Sequence, residues 1–165
     1  MKERTSKSSD VEKEFMQMIR QNNGVIYKVA SFYVDKDNVI DDLYQEVVLN
    51  LWKAYPHFRG ESKYSTWIYR IALNTCISFY RKSSRKPMYV ELSHDVKADT
   101  EDNSLYKKEL YALIDKLDKL ERALILLYLE DRPQKEMAEI MGITPTNVST
   151  KLNRIREKLK RMSDT

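Results

Sequence analysis

Residues 133–156 read PQKEMAEIMGITPTNVSTKLNRIR, and this stretch decides the fold of the second half of the chain. Ala138, Gly142 and Val148 stand four and then six residues apart. Two helices that cross closely need a small residue at the crossing, a turn residue tolerant of positive φ, and an apolar plug early in the second helix. The three positions meet the three needs, so the spacing predicts a helix-turn-helix. Pro133 is expected as the first helical residue, Gly142 ends that helix, and Thr144-Pro145 opens the next, which runs to about Arg161. Val148, Leu152, Ile155 and Leu159 form its apolar face. The opposite face carries Thr146, Asn147, Ser149, Thr150, Asn153 and Arg154, short polar groups able to reach base edges. Lys151, Arg156, Lys158, Lys160 and Arg161 add charge for phosphates. The competing reading is a helical hairpin with a solvated basic face. Cations suit a helix C-terminus, which accounts for Lys158, Lys160 and Arg161 but not for the Ala–Gly–Val spacing.

The rest of the chain is patterned the same way. Apolar residues recur every three or four positions almost throughout, and no segment alternates with period two for long. Three glycines and four prolines in 165 residues are too few for a β-rich or disordered chain. The expected fold is all-α: two small helical domains, 10–86 and 105–162, joined by a flexible acidic linker, 87–104. In the first domain the pattern predicts a helix from Asp10 to about Gln21, a break at Asn22-Asn23-Gly24, and a second helix to about Tyr33. A polar turn over 35–38 precedes a third helix with the face Ile40, Leu43, Tyr44, Val47 and Leu51, which Pro56 ends. Ser65 is expected to cap a long helix to about Lys82, with Ile68, Ile71, Ala72, Thr75 and Phe79 as its core stripe. In the second domain, 105–117 and 120–129 read as a helical hairpin ahead of the helix-turn-helix.

Several classes of function are excluded. Cys76 is the single cysteine, so no internal disulfide, CxxC pair or thiolate zinc site forms. His57 and His94 lack the spacing of metal ligands. The longest apolar run, residues 123–129, is far too short to span a bilayer, and residues 1–9 are too polar for a secretory signal. The expectation is a cytoplasmic protein with no membrane insertion, no metal and no cofactor. Basic residues number 29 against 25 acidic, a net charge of +4 that identifies no partner by itself. Their placement says more. Residues 63–90 hold six basic side chains and no acidic one, whereas 87–104 hold five acids against Lys97.

Two further segments carry function. On the long helix, Arg70, Asn74, Ile77 and Arg81 make a second stripe opposite the core stripe. Phe58, Tyr64 and Trp67 lie ahead of it, interleaved with Arg59, Ser62 and Lys63. Aromatic faces among cations suit unstacked bases, although Trp67 taken alone reads more readily as a core residue than as a base platform. The third helix turns Asp41, Asp42, Gln45 and Glu46 outward, with Leu51 and Trp52 at its end. Taken alone, that is a solvated face whose acids favour the helix dipole.

Together these residues resemble a known family. Asp42-Leu43-Tyr44-Gln45-Glu46-Val47, with Leu49 and Leu51-Trp52, is similar to the polymerase-binding helix of bacterial sigma factors. Residues 65–74, STWIYRIALN, resemble their promoter-melting segment, and the helix-turn-helix resembles their C-terminal domain. Two domains without further regions are similar to the extracytoplasmic-function (ECF) group of the sigma-70 family. The resemblance covers about Val11 to Met162. The pattern departs at Ser78, where the family often has an acid, and at Leu120-Glu121, where it favours Leu-Pro.

The resemblance implies a non-enzymatic subunit that lends promoter recognition to core RNA polymerase. Asp42, Gln45, Glu46, Leu51 and Trp52 would dock on the polymerase clamp helices, with Leu51 and Trp52 as apolar anchors. Arg59, Tyr64, Trp67, Arg70, Asn74, Arg81 and Lys82 would take the minus-ten element as a melted strand, Asn74 reading one flipped base. Thr146, Asn147, Ser149, Thr150 and Arg154 would read the minus-thirty-five element as duplex, with Lys151 and Arg156 on phosphates. The acidic linker would mimic nucleic acid in the polymerase channels. An anti-sigma factor would hold the protein inactive, since no sensor motif occurs in the chain itself. A redox role for Cys76 is disfavoured for want of a partner thiol. Two rivals remain open: a plain two-domain helix-turn-helix regulator, which leaves the 42–52 helix unexplained, and a single-strand or RNA-binding module, which leaves the helix-turn-helix idle.

Overall fold

A computed structural model describes the backbone of residues 2–34, 40–83 and 101–165, and the side chains of 7–34, 40–79 and 105–165. Among them are eight α-helices: α1 (Lys2–Gln21), α2 (Asn23–Tyr33), α3 (Ile40–Ala54), α4 (Tyr64–Ser83), α5 (Glu101–Ile114), α6 (Lys119–Leu129), α7 (Gln134–Met141) and α8 (Pro145–Ser163), with one 3₁₀ turn at Tyr55–His57. No strand occurs among the described residues. The chain divides into two units, Met1–Arg85 and Lys86–Thr165. The expected turn over 35–38 and residues 87–100 of the expected linker lie outside the described residues. The last four linker positions are helical, because α5 begins at Glu101.

In the first unit α2 and α3 both pack on α4. Ile26, Val29 and Ala30 of α2, Leu43, Val47 and Leu51 of α3, and Ile68, Tyr69, Ala72 and Cys76 of α4 are almost fully withdrawn from water. A helix covered by two neighbours buries a wide arc rather than one stripe. Ile77, expected on the outward stripe of α4 with Arg70 and Asn74, is instead buried. The polar pair inside this packing is satisfied: the Asn50 amide donates to the Thr75 hydroxyl at 3.0 Å.

Helix boundaries follow backbone hydrogen bonding and depart from expectation in four places. α1 starts at Lys2 rather than Asp10. The break before α2 is a single residue: Asn22 sends its side-chain amide to the Met18 carbonyl at 2.8 Å, and Gly24 lies inside the first turn of α2. Ser65 caps nothing, since α4 already starts at Tyr64 and the Trp67 N–H bonds the Lys63 carbonyl at 3.2 Å. Pro133 stands at the N-cap of α7, one position before the first helical residue. Pro56 behaves as expected; α3 stops at Ala54 and the chain tightens into the 3₁₀ turn.

The second unit contains a capping device that the apolar pattern does not announce. Asp118 and Glu121 form a capping box at the start of α6: Asp118 accepts from the Glu121 N–H at 2.8 Å, and Glu121 accepts from the Asp118 N–H at 3.1 Å. Glu121 also holds Lys158 of α8 at 2.8 Å, so one side chain caps α6 and ties it to α8. Arg122 is buried and pairs with Asp115 at 3.3 Å. Burial pushes the Asp115 carboxyl up to about 6, and the neighbouring guanidinium only partly opposes this. Asp131 ends α6 with φ of 53°, a left-handed position that aspartate tolerates better than most side chains.

Candidate nucleic-acid and protein interfaces

The helix-turn-helix is built from α7 and α8. Gly142 has φ 68° and ψ 35°, and the N–H groups of Gly142 and Ile143 both return to the Ala138 carbonyl, closing α7. A β-carbon here would touch nothing, so the requirement for glycine is conformational rather than steric. Thr144 caps α8 by accepting from the Asn147 N–H at 3.1 Å, and Pro145 fills the first helical position. Val148, Leu152 and Ile155 are buried against the unit, and Ala138 is 5% exposed where the helices cross.

The outer face of α8 is Thr146, Asn147, Thr150, Asn153 and Arg154, all exposed. Its flanks are engaged with neighbours. The Ser149 hydroxyl donates to the Gln134 side chain at 3.1 Å, so Ser149 is half-buried and braces α7 against α8. Arg156 lies 4.6 Å above the centre of the Tyr128 ring, a cation–π contact that holds the guanidinium at the edge of the face. Lys151 and Arg154 line a cavity of about 260 Å³ whose walls include Asp118, Leu120, Glu121 and Ile143. Gln134 and Tyr128 therefore shape this surface through residues twelve or more positions away, which no helical periodicity reveals.

In the first unit Asp41, Asp42 and Gln45 are exposed along α3, and Glu46 is half-buried. Leu49 is 45% exposed and Trp52 41% exposed beside them, whereas Leu51 is 0% exposed. Leu51 therefore belongs to the core and not to the outer face, where the family resemblance implied an apolar anchor. The reason is angular. Nine residues separate Asp42 from Leu51, and at about 100° per residue that places them roughly 180° apart. Leu49, seven residues on, returns to the Asp42 side, so helix geometry alone was signal enough to choose it.

Beyond α3 lies a series of rings. Tyr55 of the 3₁₀ turn is 6.4 Å from Trp67, Trp67 is 4.9 Å from Phe58, and Phe58 stacks on Tyr64 at 4.8 Å. Trp67 is half-buried within this cluster, and Tyr64 is 44% exposed at its edge. Burial, and next a hydrogen bond with Tyr64, keep the Tyr55 phenol above its ordinary range. Gly60, at φ 72°, turns the loop that carries exposed Arg59. Arg70 and Asn74 are exposed on α4, while the side chains of Arg81 and Lys82 lie outside the described residues.

These features coincide with matches to known proteins. Residues 18–86 match Sigma-70 region 2 and residues 107–159 match Sigma-70 region 4. The RNA polymerase sigma factor SigZ of Bacillus subtilis is 31% identical over 137 residues, covering 80% of this chain and 77% of that protein. The ECF RNA polymerase sigma-E factor of Haemophilus influenzae is 27% identical over 164 residues, covering 90% and 86%. The chain belongs to the ECF group of the sigma-70 family. Its fold is also that of a sigma factor RpoE solved with the anti-sigma factor NepR from Bartonella quintana, at a TM-score of 0.75, 19% identity and coverage of 93% and 98%.

Sigma factors of this family are DNA-binding initiation factors that act with RNA polymerase, not catalysts in themselves. In this one, no helix among the described residues is long and apolar enough to cross a membrane, and no cluster of metal-ligating side chains occurs among them. Cys76 is fully buried on α4, and burial pushes its thiol up to about 12. At neutral pH almost no thiolate exists to attack anything. We expect the native protein to resist iodoacetamide at pH 8, and to label quickly in urea concentrations that unfold the first unit; rapid labelling of the folded protein would contradict this placement.

Proposed function

We propose that this sigma factor docks on core RNA polymerase through the outer face of α3, captures the minus-ten element as a single strand beside α4, and reads the minus-thirty-five element as duplex with α8. Asp42, Gln45 and Glu46 offer acids and an amide to basic clamp groups, and Leu49 and Trp52 supply apolar area in place of Leu51. Thr146, Asn147, Thr150 and Arg154 are positioned for base edges, and Lys151 and Arg156 for phosphates; Ser149 contributes mainly through Gln134. Arg59, Arg70, Arg81 and Lys82 would follow the strand backbone, with Tyr64 and Trp67 as stacking faces and Asn74 reading one extruded base. The observation that supports this most strongly is that the exposed face of α8 is made of short polar and basic side chains, held rigid by Thr144, Gly142 and the buried Val148. RpoE was solved with the anti-sigma factor NepR, and an anti-sigma factor for this protein would act by covering the surfaces proposed here for polymerase.

The test is run-off transcription of fragmented genomic DNA by core polymerase with and without this protein. Discrete new starts are expected, and their alignment gives both promoter elements. Specific duplex binding without transcripts would instead indicate a plain regulator. Asn74 is exposed, so Asn74→Ala leaves the fold intact. It is expected to reduce promoter opening, read by permanganate reactivity, by about tenfold or more while polymerase affinity stays at wild type; this is the scale of one lost base-edge pair. Normal opening by that variant removes Asn74 from the base-reading role.

A further inference from the structure

The region 2 match begins at residue 18, yet the ring that joins the two faces of the first unit stands before it. Phe15 of α1 is only 3% exposed. It meets Trp52 edge-on at 4.9 Å and Tyr55 edge-on at 5.3 Å. From Tyr55 the ring series continues through Trp67 and Phe58 to Tyr64. Its two ends, Trp52 and Tyr64, are exposed at 41% and 44%. One end lies on the face proposed for polymerase and the other beside the loop proposed for the melted strand.

We infer that Phe15 is a positioning residue for both interfaces, holding Trp52 for polymerase docking and, through Tyr55, the ring cluster that receives the strand. The inference rests on the assignments of α3 and of the Arg59–Tyr64 loop made above. The physical reason is the geometry of aromatic pairs. An edge-on contact favours one orientation of an exposed indole, and a partner that binds it then has less ordering to supply. Without the Phe15 edge, Trp52 samples several rotamers and docking bears the ordering cost. Tyr55 sits in the 3₁₀ turn between α3 and the loop. Phe15 is one wall against that ring, so removing it lets Tyr55 shift and loosens Trp67 and Phe58 behind it. Met16, the next residue along, is 41% exposed and serves as a control for α1 acting as a contact surface in its own right.

The test uses the full chain with Phe15→Leu, which keeps an apolar side chain but removes the ring. Polymerase affinity is expected to fall about three- to tenfold, the range of one or two ring pairs, and binding of a single-stranded minus-ten oligonucleotide by the assembled polymerase to fall similarly. Met16→Ala should change neither. Trp52 and Trp67 are the two tryptophans, so in a Trp67→Phe background the emission anisotropy of Trp52 reports its mobility directly. Phe15→Leu should lower that anisotropy while helical content is unchanged, an effect that general destabilisation does not produce. A folded Phe15→Leu protein with wild-type affinity for both ligands overturns the inference. If Phe15→Leu fails to fold, Tyr55→Leu takes its place with Tyr55→Phe as the ring-retaining control. Loss of strand binding in the first and retention in the second support the relay, and retention in both overturns it. Trp52→Ala separates the two levels. Should it leave polymerase affinity unchanged, the α3 assignment falls and this inference with it; should it weaken docking while Phe15→Leu does not, only the inference falls.

Discussion

Leu51→Ala is expected to destabilise the first unit by about 2–5 kcal/mol, the range for truncating a fully buried leucine whose surroundings relax only in part. Leu51 is 0% exposed on α3, a helix that packs on both α2 and α4. A small domain has a total stability of only about 5–15 kcal/mol, so the variant would be marginal at growth temperature. The measurement is convenient because both tryptophans, Trp52 and Trp67, lie in the first unit. Urea unfolding followed by tryptophan emission therefore reports that unit alone, whatever the second unit does. A midpoint unchanged from wild type would mean that Leu51 is not a core residue and would return it to the docking surface.

Trp52→Ala should do the opposite. Trp52 is 41% exposed, so its removal costs little folding stability beyond the contact with Phe15. As a large exposed aromatic flanked by Asp42, Gln45 and Leu49 it has the character of an interface hot spot, for which truncation costs at least about 2 kcal/mol, or about 30-fold in Kd for core polymerase. Leu49→Ala on the same face should give a smaller loss in the same direction. Measuring urea midpoint and polymerase affinity for Leu51→Ala and Trp52→Ala together yields a crossed pattern, stability lost in one and affinity in the other. If both variants lose the same property, the division of α3 into a core side and a docking side is wrong.

The pairing of Leu51 and Trp52 shows where sequence pattern stops being sufficient. Adjacent residues on a helix differ by about 100° in direction, so with Leu51 centred on the buried face Trp52 falls at the edge of the exposed one. The periodicity that identified Leu51 as part of the Ile40–Leu51 face already excluded it from the Asp42 face. Ile77 is the reverse case. Its angle agrees with that of exposed Arg70 and Asn74, yet Ile77 is buried, a difference that the period of α4 alone does not carry. The first turns of α1 carry no apolar stripe, because residues 2–9 are polar all round, and the pattern begins only near Asp10. The capping box of α6 is legible as Asp118-x-x-Glu121, but the apolar pattern starts at Leu120, inside the box, and so points to a later helix start.

What the sequence determined by itself is everything that depends on neighbours a turn apart. The 3.6-residue period specifies an all-α chain, Gly142 and the Thr144-Pro145 cap specify the turn between α7 and α8, and the small Ala138 and the apolar Val148 specify that those helices cross closely. The outer face of α8 followed from the same period. Only the tertiary structure decided which rings meet. Phe15 touches Trp52 and Tyr55 across 37 and 40 positions of chain, Arg156 finds Tyr128, and Glu121 serves both its own cap and Lys158. Such contacts depend on how whole helices are placed against one another. That placement is set by the sum of many weak, non-directional apolar contacts, and no local spacing encodes it.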